Sequence, residues 1–346
     1  METLMRSLII EVAEGHDLGE PQAEAAMNLM MSGQATPVQV AAFLMALRMK
    51  GETVEEITAC ARVMRAKATS IVHTRPMAVD TCGTGGDGAN TFNISTTAAF
   101  VVAGAGVPVA KHGNRAASSL TGSADVLEAL GVNLSLTPAG VGRCIDEVGI
   151  GFMFAPALHT SMKYVAPVRR EMGLRTIFNL LGPLTNPAGV QAQVAGVFDP
   201  DMVEPLARVL GNLGCRHALA VHGLDGLDEI SISGPTVVGE MVDGVVRTYQ
   251  VAPGDVGLPL APLESIRGGD RDENARITQE VLAGGRGPRR DVVLFNAAAA
   301  LVAAGKAQGL KDGVALAEES IDSGSAQAAL NGLRRLSNEL AAGELS

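Results

Sequence analysis

The sequence predicts an α/β protein with a small all-helical N-terminal domain and a larger α/β domain built on a central, mainly parallel β-sheet. The first 70 residues show helical periodicity alone. After residue 76, short β-like runs alternate with Gly-rich turns and Ala-rich helical segments, which is typical of a parallel sheet flanked by helices. A chain of 346 residues, 47% of them hydrophobic, is long enough to form two such units.

Two helices in the N-terminal region have clear boundary signals. Thr36, which is followed by a proline, predicts the start of the first helix, and Gly51 predicts its end. Thr53 and Glu56 have the spacing of a capping box, which predicts a second helix that runs to about Lys67. These signals support the all-helical assignment of this region.

The β-like runs of the second domain lie at residues 78–81, 107–110, 151–154, 193–197, 217–221 and 245–251. The basic segment 163–182 resumes helical spacing between two of these runs, so we expect it to return and pack with the N-terminal helices. The tail predicts an Ala-rich helix at 296–304 and an amphipathic helix at 326–340.

Composition and charge exclude several classes of function. The formal charge of −10, from 27 basic and 37 acidic residues, repels polyanions, so we expect no nucleic-acid partner. We find neither an apolar stretch of membrane-spanning length nor a basic leader, so we expect no membrane partner and no export. The four cysteines lack C-x-x-C spacing, which favours reduced thiols in the cytoplasm over a disulfide frame or a metal cage.

The first candidate site is a glycine-rich loop that follows a short apolar run. Its glycines and the polar residues that open the next helix-like segment are Gly83, Gly85, Gly86, Gly88, Asn93, Ser95 and Thr96. Backbone N–H groups in such a loop and at a helix N-terminus form a cradle for phosphate. The alternative is a glycine-rich turn that binds nothing. The spacing also fits a dinucleotide-binding fingerprint, but the next predicted strand, 107–110, leads into Lys111, whereas that fold requires an acidic residue near the end of this strand.

The second candidate is the loop that follows the next predicted strand, at the end where open α/β sheets place their ligands. It contains two cations, Lys111 and Arg115, together with Asn114 and the hydroxyls of Ser118 and Ser119. A basic loop of this kind can be only a solvated surface. Beside a separate glycine loop in an acidic protein, it predicts the second wall of a polyphosphate site.

Asp228 and Glu229 are the third candidate. Adjacent carboxylates before a β-like run often only decorate a turn. Two carboxylates are also sufficient for Mg²⁺ when waters and substrate phosphates supply the other ligands, so the pair predicts a Mg²⁺ site. In the basic segment upstream, Arg169, Arg170 and Arg175 either solvate a helix face or offer a guanidinium that holds a planar carboxylate.

Five motifs taken together resemble those of the anthranilate phosphoribosyltransferase family of tryptophan biosynthesis. They are Gly83-Thr84-Gly85-Gly86-Asp87, Asn93-Ile94-Ser95-Thr96, Lys111-His112-Gly113-Asn114-Arg115, Val168-Arg169-Arg170-Glu171 and Asn179-Leu180-Leu181-Gly182-Pro183-Leu184-Thr185-Asn186-Pro187. They follow one another in the family's order over essentially the whole chain. One stretch departs from the family pattern, because Thr160 follows His159 where many relatives have proline.

The resemblance implies a helical domain of residues 1–72, joined by part of 163–185, and a hinge to an α/β domain of residues 73–346. It implies a cytoplasmic homodimer that transfers the 5-phosphoribosyl group from phosphoribosyl diphosphate to the amine of anthranilate. An aromatic amine attacks in its neutral form, so the lack of a Ser-His-Asp or Cys-His arrangement agrees with this reaction.

The same resemblance implies which residues bind each ligand. Those implied for phosphoribosyl diphosphate are Gly83, Gly85, Gly86, Asp87, Thr91, Asn93, Ser95, Thr96, Lys111 and Ser123. Those implied for anthranilate are Gly83, His112, Gly113, Asn114 and Arg169. Ser95, Asp228 and Glu229 would hold two Mg²⁺. Lys111 and Arg169 would act electrostatically, and no further catalytic residue is assigned.

Two alternative functions belong to different classes. A pyrimidine nucleoside phosphorylase-like enzyme has a similar fold and anion loop, but it uses phosphate, and the Asp228–Glu229 pair favours the transferase. A non-catalytic relative that binds nucleic acid is expected to lack the acidic pair and to have a basic face.

Overall fold

The computed structural model of the protein describes residues 2–116 and 120–344. The helices are α1 (Glu2–Ala13), α2 (Glu20–Met31), α3 (Pro37–Lys50), α4 (Val54–Lys67), α5 (Ile94–Gly104), α6 (Ser123–Ala129), α7 (Pro138–Val148), α8 (Ala155–Leu158), α9 (Ala166–Met172), α10 (Phe178–Leu184), α11 (Val203–Asn212), α12 (Arg271–Leu282), α13 (Pro288–Ala303), α14 (Leu310–Asp322) and α15 (Ser325–Glu344). Short 3₁₀ helices span Thr160–Tyr164, Pro200–Met202, Pro253–Val256 and Leu263–Ile266.

The described strands form one seven-stranded sheet. They are β1 (Val79–Asp80), β2 (Val109–Gly113), β3 (Ile150–Phe154), β4 (Ala192–Gly196), β5 (His217–Gly223), β6 (Thr236–Val242) and β7 (Val245–Val251). The order is β3-β2-β1-β4-β5-β6-β7, and the five strands from β3 to β5 run parallel. The prediction of a helical domain followed by an α/β domain with a mainly parallel sheet is confirmed.

Strand β6 is absent from the sequence-based assignment. It pairs antiparallel with both β5 and β7, so the sheet ends in a hairpin at one edge. The hairpin turns at Asp243 and Gly244, which have φ of 46° and 86°. Two consecutive positive φ values are typical of the tight turns that join hairpin strands.

The N-terminal helices begin and end as their cap residues predict. Thr36 Oγ1 accepts a hydrogen bond from Gln39 N, and Gly51 follows the last residue of α3. The capping box of α4 is formed in both directions, because Thr53 N donates to Glu56 Oε2 at 2.8 Å and Glu56 N donates to Thr53 Oγ1 at 3.2 Å. Both helices then bury one face in the core that they share with α1 and α2.

Two large apolar cores cover the two faces of the sheet. One contains α5, α13 and the C-terminal helices. The other is continuous from α1–α4 through α9 and α10 to α11 and the opposite face of β4 and β5. The segment that holds α9 and α10 therefore packs with the N-terminal helices. Among the described residues, no helix has the length and apolar character needed to cross a bilayer.

The parallel strands place several loops at one edge of the sheet. The glycine loop follows β1, Lys111–Gly113 ends β2, Gly196 ends β4, and the loop that carries Asp228 follows β5. Open α/β sheets bind ligands outside the carboxyl ends of their strands. We therefore expect a ligand-binding site at this edge of the sheet.

Candidate active site

The glycine loop and the acidic pair meet directly. Gly85 N donates a hydrogen bond to Asp228 Oδ2 at 2.7 Å. Gly85 and Gly86 have φ of 66° and 84°, a conformation that residues with a side chain rarely adopt. A Cβ on Gly83 would lie 3.1 Å from Asp228 Oδ2 and 3.2 Å from the backbone of Gly196, so this position has little room for a side chain.

The start of α5 makes the second contact with the acidic pair. Asn93 is the N-cap of this helix, and Ser95 N donates to Glu229 Oε1 at 3.1 Å. Free N–H groups in the first turn of a helix attract anions. The two carboxylates therefore accept hydrogen bonds from backbone donors of both parts of the predicted phosphate cradle.

A cation would stabilise the neighbouring carboxylates of Asp87, Asp228 and Glu229. Burial raises the pKa of Asp228 well above its usual range, and the nearby charges of Asp87 and Glu229 raise it further. Burial also raises the pKa of Glu229 to about 7, against the opposing effects of Lys111 and of the hydrogen bonds from Ser95. The carboxylates of Asp228 and Glu229 and the hydroxyl of Ser95, which donates to Glu229, offer only oxygen ligands, and this donor set fits Mg²⁺.

The described residues contain no group of three or more His, Cys, Asp or Glu side chains arranged to hold a metal ion. A cation at Asp228 and Glu229 therefore requires further oxygen ligands from water or a substrate. This is the usual arrangement of Mg²⁺ in phosphoryl-binding sites, where the ion keeps several waters and binds substrate oxygens.

Lys111 contacts the backbone just before the glycine loop. Its side chain is buried, and Nζ donates to the carbonyl oxygen of Thr81 at 2.9 Å. Arg115 is exposed and forms ion pairs with Asp125 at 2.9 Å and Glu128 at 2.7 Å. The place of Arg115 beside Lys111 in the second wall of a polyphosphate site stays a prediction. Ser118 and Ser119, also predicted there, lie outside the described residues.

The remaining residues predicted for phosphoribosyl diphosphate lie around α5 and α6. Asn93 Nδ2 donates to Thr121 O at 3.3 Å, and Asn93 Oδ1 accepts from Asn274 Nδ2 at 3.0 Å. Thr96 and Lys111 are both buried and lie close to each other. Two others complete this group: Thr91 pairs with Arg267 in an isolated antiparallel bridge, and Ser123 Oγ donates to Asn114 O at 3.2 Å.

His112 is held in place by buried polar contacts. Its backbone N–H donates to Asp80 Oδ1 at 3.1 Å, and its Nδ1 lies 3.2 Å from Gly182 O. Its Nε2 lies 3.2 Å from Nε2 of His159, the residue at the departure from the family pattern. Burial lowers the pKa of His112 to about 3 and that of His159 to about 4, so both rings are neutral near pH 7.

The other residues predicted for anthranilate lie on two elements. Asn114 is exposed, and Gly113 has no room for a Cβ, which would lie 2.3 Å from Ser123 Oγ. Arg169, on α9, stacks its guanidinium 5.0 Å from the ring centre of Phe178, and burial lowers its pKa. Within the described ranges, no carboxylate pairs with Arg169 and no hydrogen bond joins it to His112 or Asn114.

Comparisons with known proteins agree on one family. Residues 6–68 match the glycosyl transferase family, helical bundle domain, and residues 75–327 match the glycosyl transferase family, a/b domain. The chain is 72% identical to the anthranilate phosphoribosyltransferase of Symbiobacterium thermophilum over 338 residues, which cover 98% of this chain and 99% of the relative. The chain belongs to the anthranilate phosphoribosyltransferase family.

Solved structures of this family have the same architecture. The crystal structure of the Thermus thermophilus enzyme superimposes with a TM-score of 0.91 at 47% identity, over 96% of this chain and 99% of that one. The Saccharomyces cerevisiae enzyme in complex with PRPP and Mg also gives a TM-score of 0.91, at 30% identity, over 98% of this chain and 99% of that one.

Two buried polar residues that carry no motif of their own, Asp80 and Asn296, support the site of this family member through hydrogen bonds. Asp80 is fully buried and accepts from Asn186 Nδ2 at 2.8 Å as well as from His112 N. Asn296 contacts the backbone directly after Glu229. A single amide within the apolar run of α13 was the available signal for Asn296, and Asp80 stands at the end of an otherwise apolar strand.

Arg175 is a further contact that the sequence did not single out from its neighbours. Its guanidinium donates to Gly86 O in the glycine loop and lies 4.1 Å from the ring centre of Phe198. It therefore connects the segment before α10 to the phosphate cradle.

Proposed function

We propose that this chain transfers the 5-phosphoribosyl group from phosphoribosyl diphosphate to the amine of anthranilate, giving N-(5-phosphoribosyl)anthranilate and diphosphate in tryptophan biosynthesis. The observation that carries the proposal is the direct contact of the Asp228–Glu229 pair with Gly85 N and Ser95 N. The backbone N–H groups that can bind an anion and the carboxylates that can bind a cation are therefore in direct contact. A diphosphate that departs with Mg²⁺ needs both.

The donor half of the site would bind phosphoribosyl diphosphate. The backbone N–H groups of Gly83, Gly85 and Gly86, the start of α5 and the buried Lys111 supply positive potential where the diphosphate leaves. Asn93 is already oriented by Asn274. Thr91, Thr96, Asp87 and Ser123 surround these groups and would complete the binding surface.

Mg²⁺ is the cofactor that fits the acidic pair, and it stabilises the negative charge of the departing diphosphate. We propose that Asp228, Glu229 and the hydroxyl of Ser95 hold two ions in each protomer. The raised pKa values of both carboxylates support this, because a nearby cation would stabilise the ionised form of each carboxylate.

The acceptor half would bind anthranilate between the ends of β2 and α9. Arg169 offers a half-buried guanidinium without a carboxylate partner in the described part of the chain, which suits the carboxylate of anthranilate. Gly83, His112, Gly113 and Asn114 would line the same space. The neutral rings of His112 and His159 would add polar contacts without charge.

The chemistry needs little acid–base help. The amine nitrogen forms a bond to the anomeric carbon as the bond from that carbon to the diphosphate oxygen breaks, and the nitrogen then loses a proton. Positive charge develops on the ribose ring and negative charge on the leaving group. Electrostatic stabilisation of the leaving group and alignment of the amine therefore supply most of the rate enhancement.

The direct test is to incubate the purified protein with anthranilate, phosphoribosyl diphosphate and Mg²⁺ and to follow the loss of anthranilate fluorescence. We expect turnover with equimolar release of diphosphate, and none when EDTA replaces Mg²⁺. A protein that leaves anthranilate unchanged but cleaves pyrimidine nucleosides with inorganic phosphate would contradict the proposal.

We also propose that the protein acts in the cytoplasm as a homodimer formed through its N-terminal helices. The large apolar side chains that these helices leave exposed are Leu4, Ile10, Val38, Met45 and Met49. They lie on α1 and α3, which pack against each other. Exposed apolar patches of this kind mark interfaces. Light scattering should give the mass of a dimer, and a monomeric mass would refute this.

A further inference from the structure

The backbone that carries the acidic pair has no regular structure of its own. In the described chain, residues 228–230 take part in no backbone–backbone hydrogen bond. Asp228 N makes only a long contact of 3.4 Å with Asp87 Oδ2. Local secondary structure therefore does not fix the direction in which the two carboxylates point.

One side chain replaces the missing backbone partners. Asn296 Oδ1 accepts from Ile230 N at 2.9 Å, and Asn296 Nδ2 donates to Ile230 O at 2.9 Å. The amide thus satisfies both polar groups of the residue that follows Glu229. Nδ2 also donates to Val292 O at 2.9 Å, within the same helix.

The position of Asn296 is itself rigid. It is 3% exposed and lies in α13, most of whose side chains are buried. On its other side the acidic segment packs against Gly196, where a Cβ would lie only 1.6 Å from Asp228 O. The segment is therefore held between a glycine that gives it room and an amide that fixes it.

We propose that Asn296 is a positioning residue that sets the geometry with which Asp228 and Glu229 bind Mg²⁺. The inference rests on the proposed function, because it assigns these two carboxylates to the metal. Residues that orient metal ligands typically change metal affinity about 10- to 100-fold when they are replaced. Only a carboxamide combines the acceptor for Ile230 N with the donor for Ile230 O at this length.

The test compares Asn296→Leu, which has similar volume but makes no hydrogen bond, with wild type and with Ser337→Ala. Ser337 is equally buried and accepts from Asn133 N at 3.0 Å, a contact that involves no site residue. Calorimetry measures the binding of inorganic pyrophosphate with excess Mg²⁺ and again with EDTA. Steady-state rates give the Mg²⁺ concentration for half-maximal activity and the KM for anthranilate.

For Asn296→Leu we expect pyrophosphate affinity with Mg²⁺ to fall at least about 10-fold. Affinity with EDTA and the KM for anthranilate should change less than about twofold, since neither depends on the metal ligands. The Mg²⁺ requirement should rise about 10-fold. Ser337→Ala should match wild type in all these values.

A folded Asn296→Leu protein with wild-type Mg²⁺-dependent affinity would overturn the proposal, as would equal losses with and without Mg²⁺. If the leucine variant does not fold, Asn296→Ser gives the same decision, because serine lacks the reach for both bonds. Failure of the proposed transferase activity would be distinguishable from failure of the proposal for Asn296. Wild type would then leave anthranilate unchanged, whereas the pyrophosphate titrations would still report on Asn296.

Discussion

At the scale of single residues, we expect function to depend most on Asp228. It accepts from the glycine loop and shares its surroundings with Asp87 and Glu229, yet it lies in a loop and fills no part of the apolar core. Its replacement should therefore affect metal binding without unfolding the protein.

We predict that Asp228→Asn lowers kcat at least about 100-fold at moderate Mg²⁺, because one ligand loses its charge. The midpoint of thermal unfolding should stay at or above that of wild type, since a buried charge is removed. Asp243→Asn, at an exposed hairpin turn, is the matched control and should keep full activity. Unchanged activity of Asp228→Asn would remove this residue from the site.

We predict that Arg169→Ala raises the KM for anthranilate about 10-fold or more, because a charge-assisted hydrogen bond contributes about 1.5–3 kcal/mol. The KM for phosphoribosyl diphosphate should change much less. Arg170, the next residue on α9, is exposed and provides the control. Steady-state kinetics with each substrate varied in turn distinguish the outcomes, and equal effects on both KM values would contradict the assignment.

The sequence was informative wherever a site residue belongs to a local motif. The glycine loop, Lys111 and the acidic pair could be predicted because each local pattern indicates a binding function by itself. A glycine loop binds anions, a strand end is where α/β sheets bind ligands, and adjacent carboxylates bind Mg²⁺. Asp80 and Asn296 could not be assigned, because their roles depend on partners such as His112 and Ile230 that only the fold brings near. The ion pairs of Arg115 with Asp125 and Glu128 also depend on the fold, and the place of Arg115 in the site stays a prediction.

At the scale of elements, one arginine joins the N-terminal helices to the α/β part. Arg65, on α4, donates to Leu184 O at 2.7 Å and to Leu213 O at 2.8 Å. These carbonyls lie at the C-terminal ends of α10 and α11, where helices leave acceptors unpaired. A cation at helix C-termini also interacts favourably with their dipoles.

We predict that Arg65→Met lowers the free energy of unfolding by about 2 kcal/mol, because two partly buried carbonyls lose their donor. Urea denaturation measures this change. Arg62→Met, one turn earlier on the same helix, removes only an exposed ion pair with Glu20 and should cost less than about 1 kcal/mol. Equal effects of the two substitutions would show that Arg65 does not act as this connection.

Elements were predictable where their boundaries are marked by capping or by a strict pattern. Helices α3 and α4 follow from Thr36, Gly51 and the Thr53–Glu56 capping box. Strand β6 was missed because Gly239 interrupts its apolar run, although Asp243-Gly244 is a hairpin signal. That glycine has a packing reason, since a Cβ there would lie 2.9 Å from Val203 O.

At the scale of the whole molecule, two buried histidines couple stability to pH. In the unfolded chain, both histidines take up a proton as the pH falls below about 6.5. In the folded protein, His112 and His159 stay neutral down to a lower pH. Each therefore contributes stability that is complete above pH 6.5 and is lost as the pH falls toward the folded pKa of about 3 or about 4. The carboxyl of Asp80, whose pKa burial raises to about 6, acts in the opposite direction.

We predict that wild type loses stability faster than His159→Gln as the pH falls from 6.5 to about 4. The difference should approach about 1.4 kcal/mol per pH unit, the value for one proton, and the comparison cancels the effect of Asp80. Urea denaturation at several pH values without metal gives both curves. Parallel curves would contradict burial of a neutral His159.

The division of the molecule at residues 72 and 73 stays a prediction, as does a hinge there. The core that continues from α1–α4 into α10, α11 and β5 shows that the two parts share apolar packing. The helical spacing of 163–182 predicted the part of this core that α9 and α10 form with the N-terminal helices. Its continuation into α11 and β5 could not be predicted, because sequence periodicity describes each element by itself.

The central claim is that the glycine loop, the start of α5 and the Asp228–Glu229 pair form one site for a metal-bound diphosphate. The most direct measurement is a crystal structure with Mn²⁺ and pyrophosphate, in which anomalous scattering locates the metal. We predict Mn²⁺ peaks at the carboxylates of Asp228 and Glu229, with pyrophosphate oxygens at Gly85 N and Ser95 N. Mn²⁺ and pyrophosphate bound elsewhere, with those two N–H groups still donating to the carboxylates, would contradict the account.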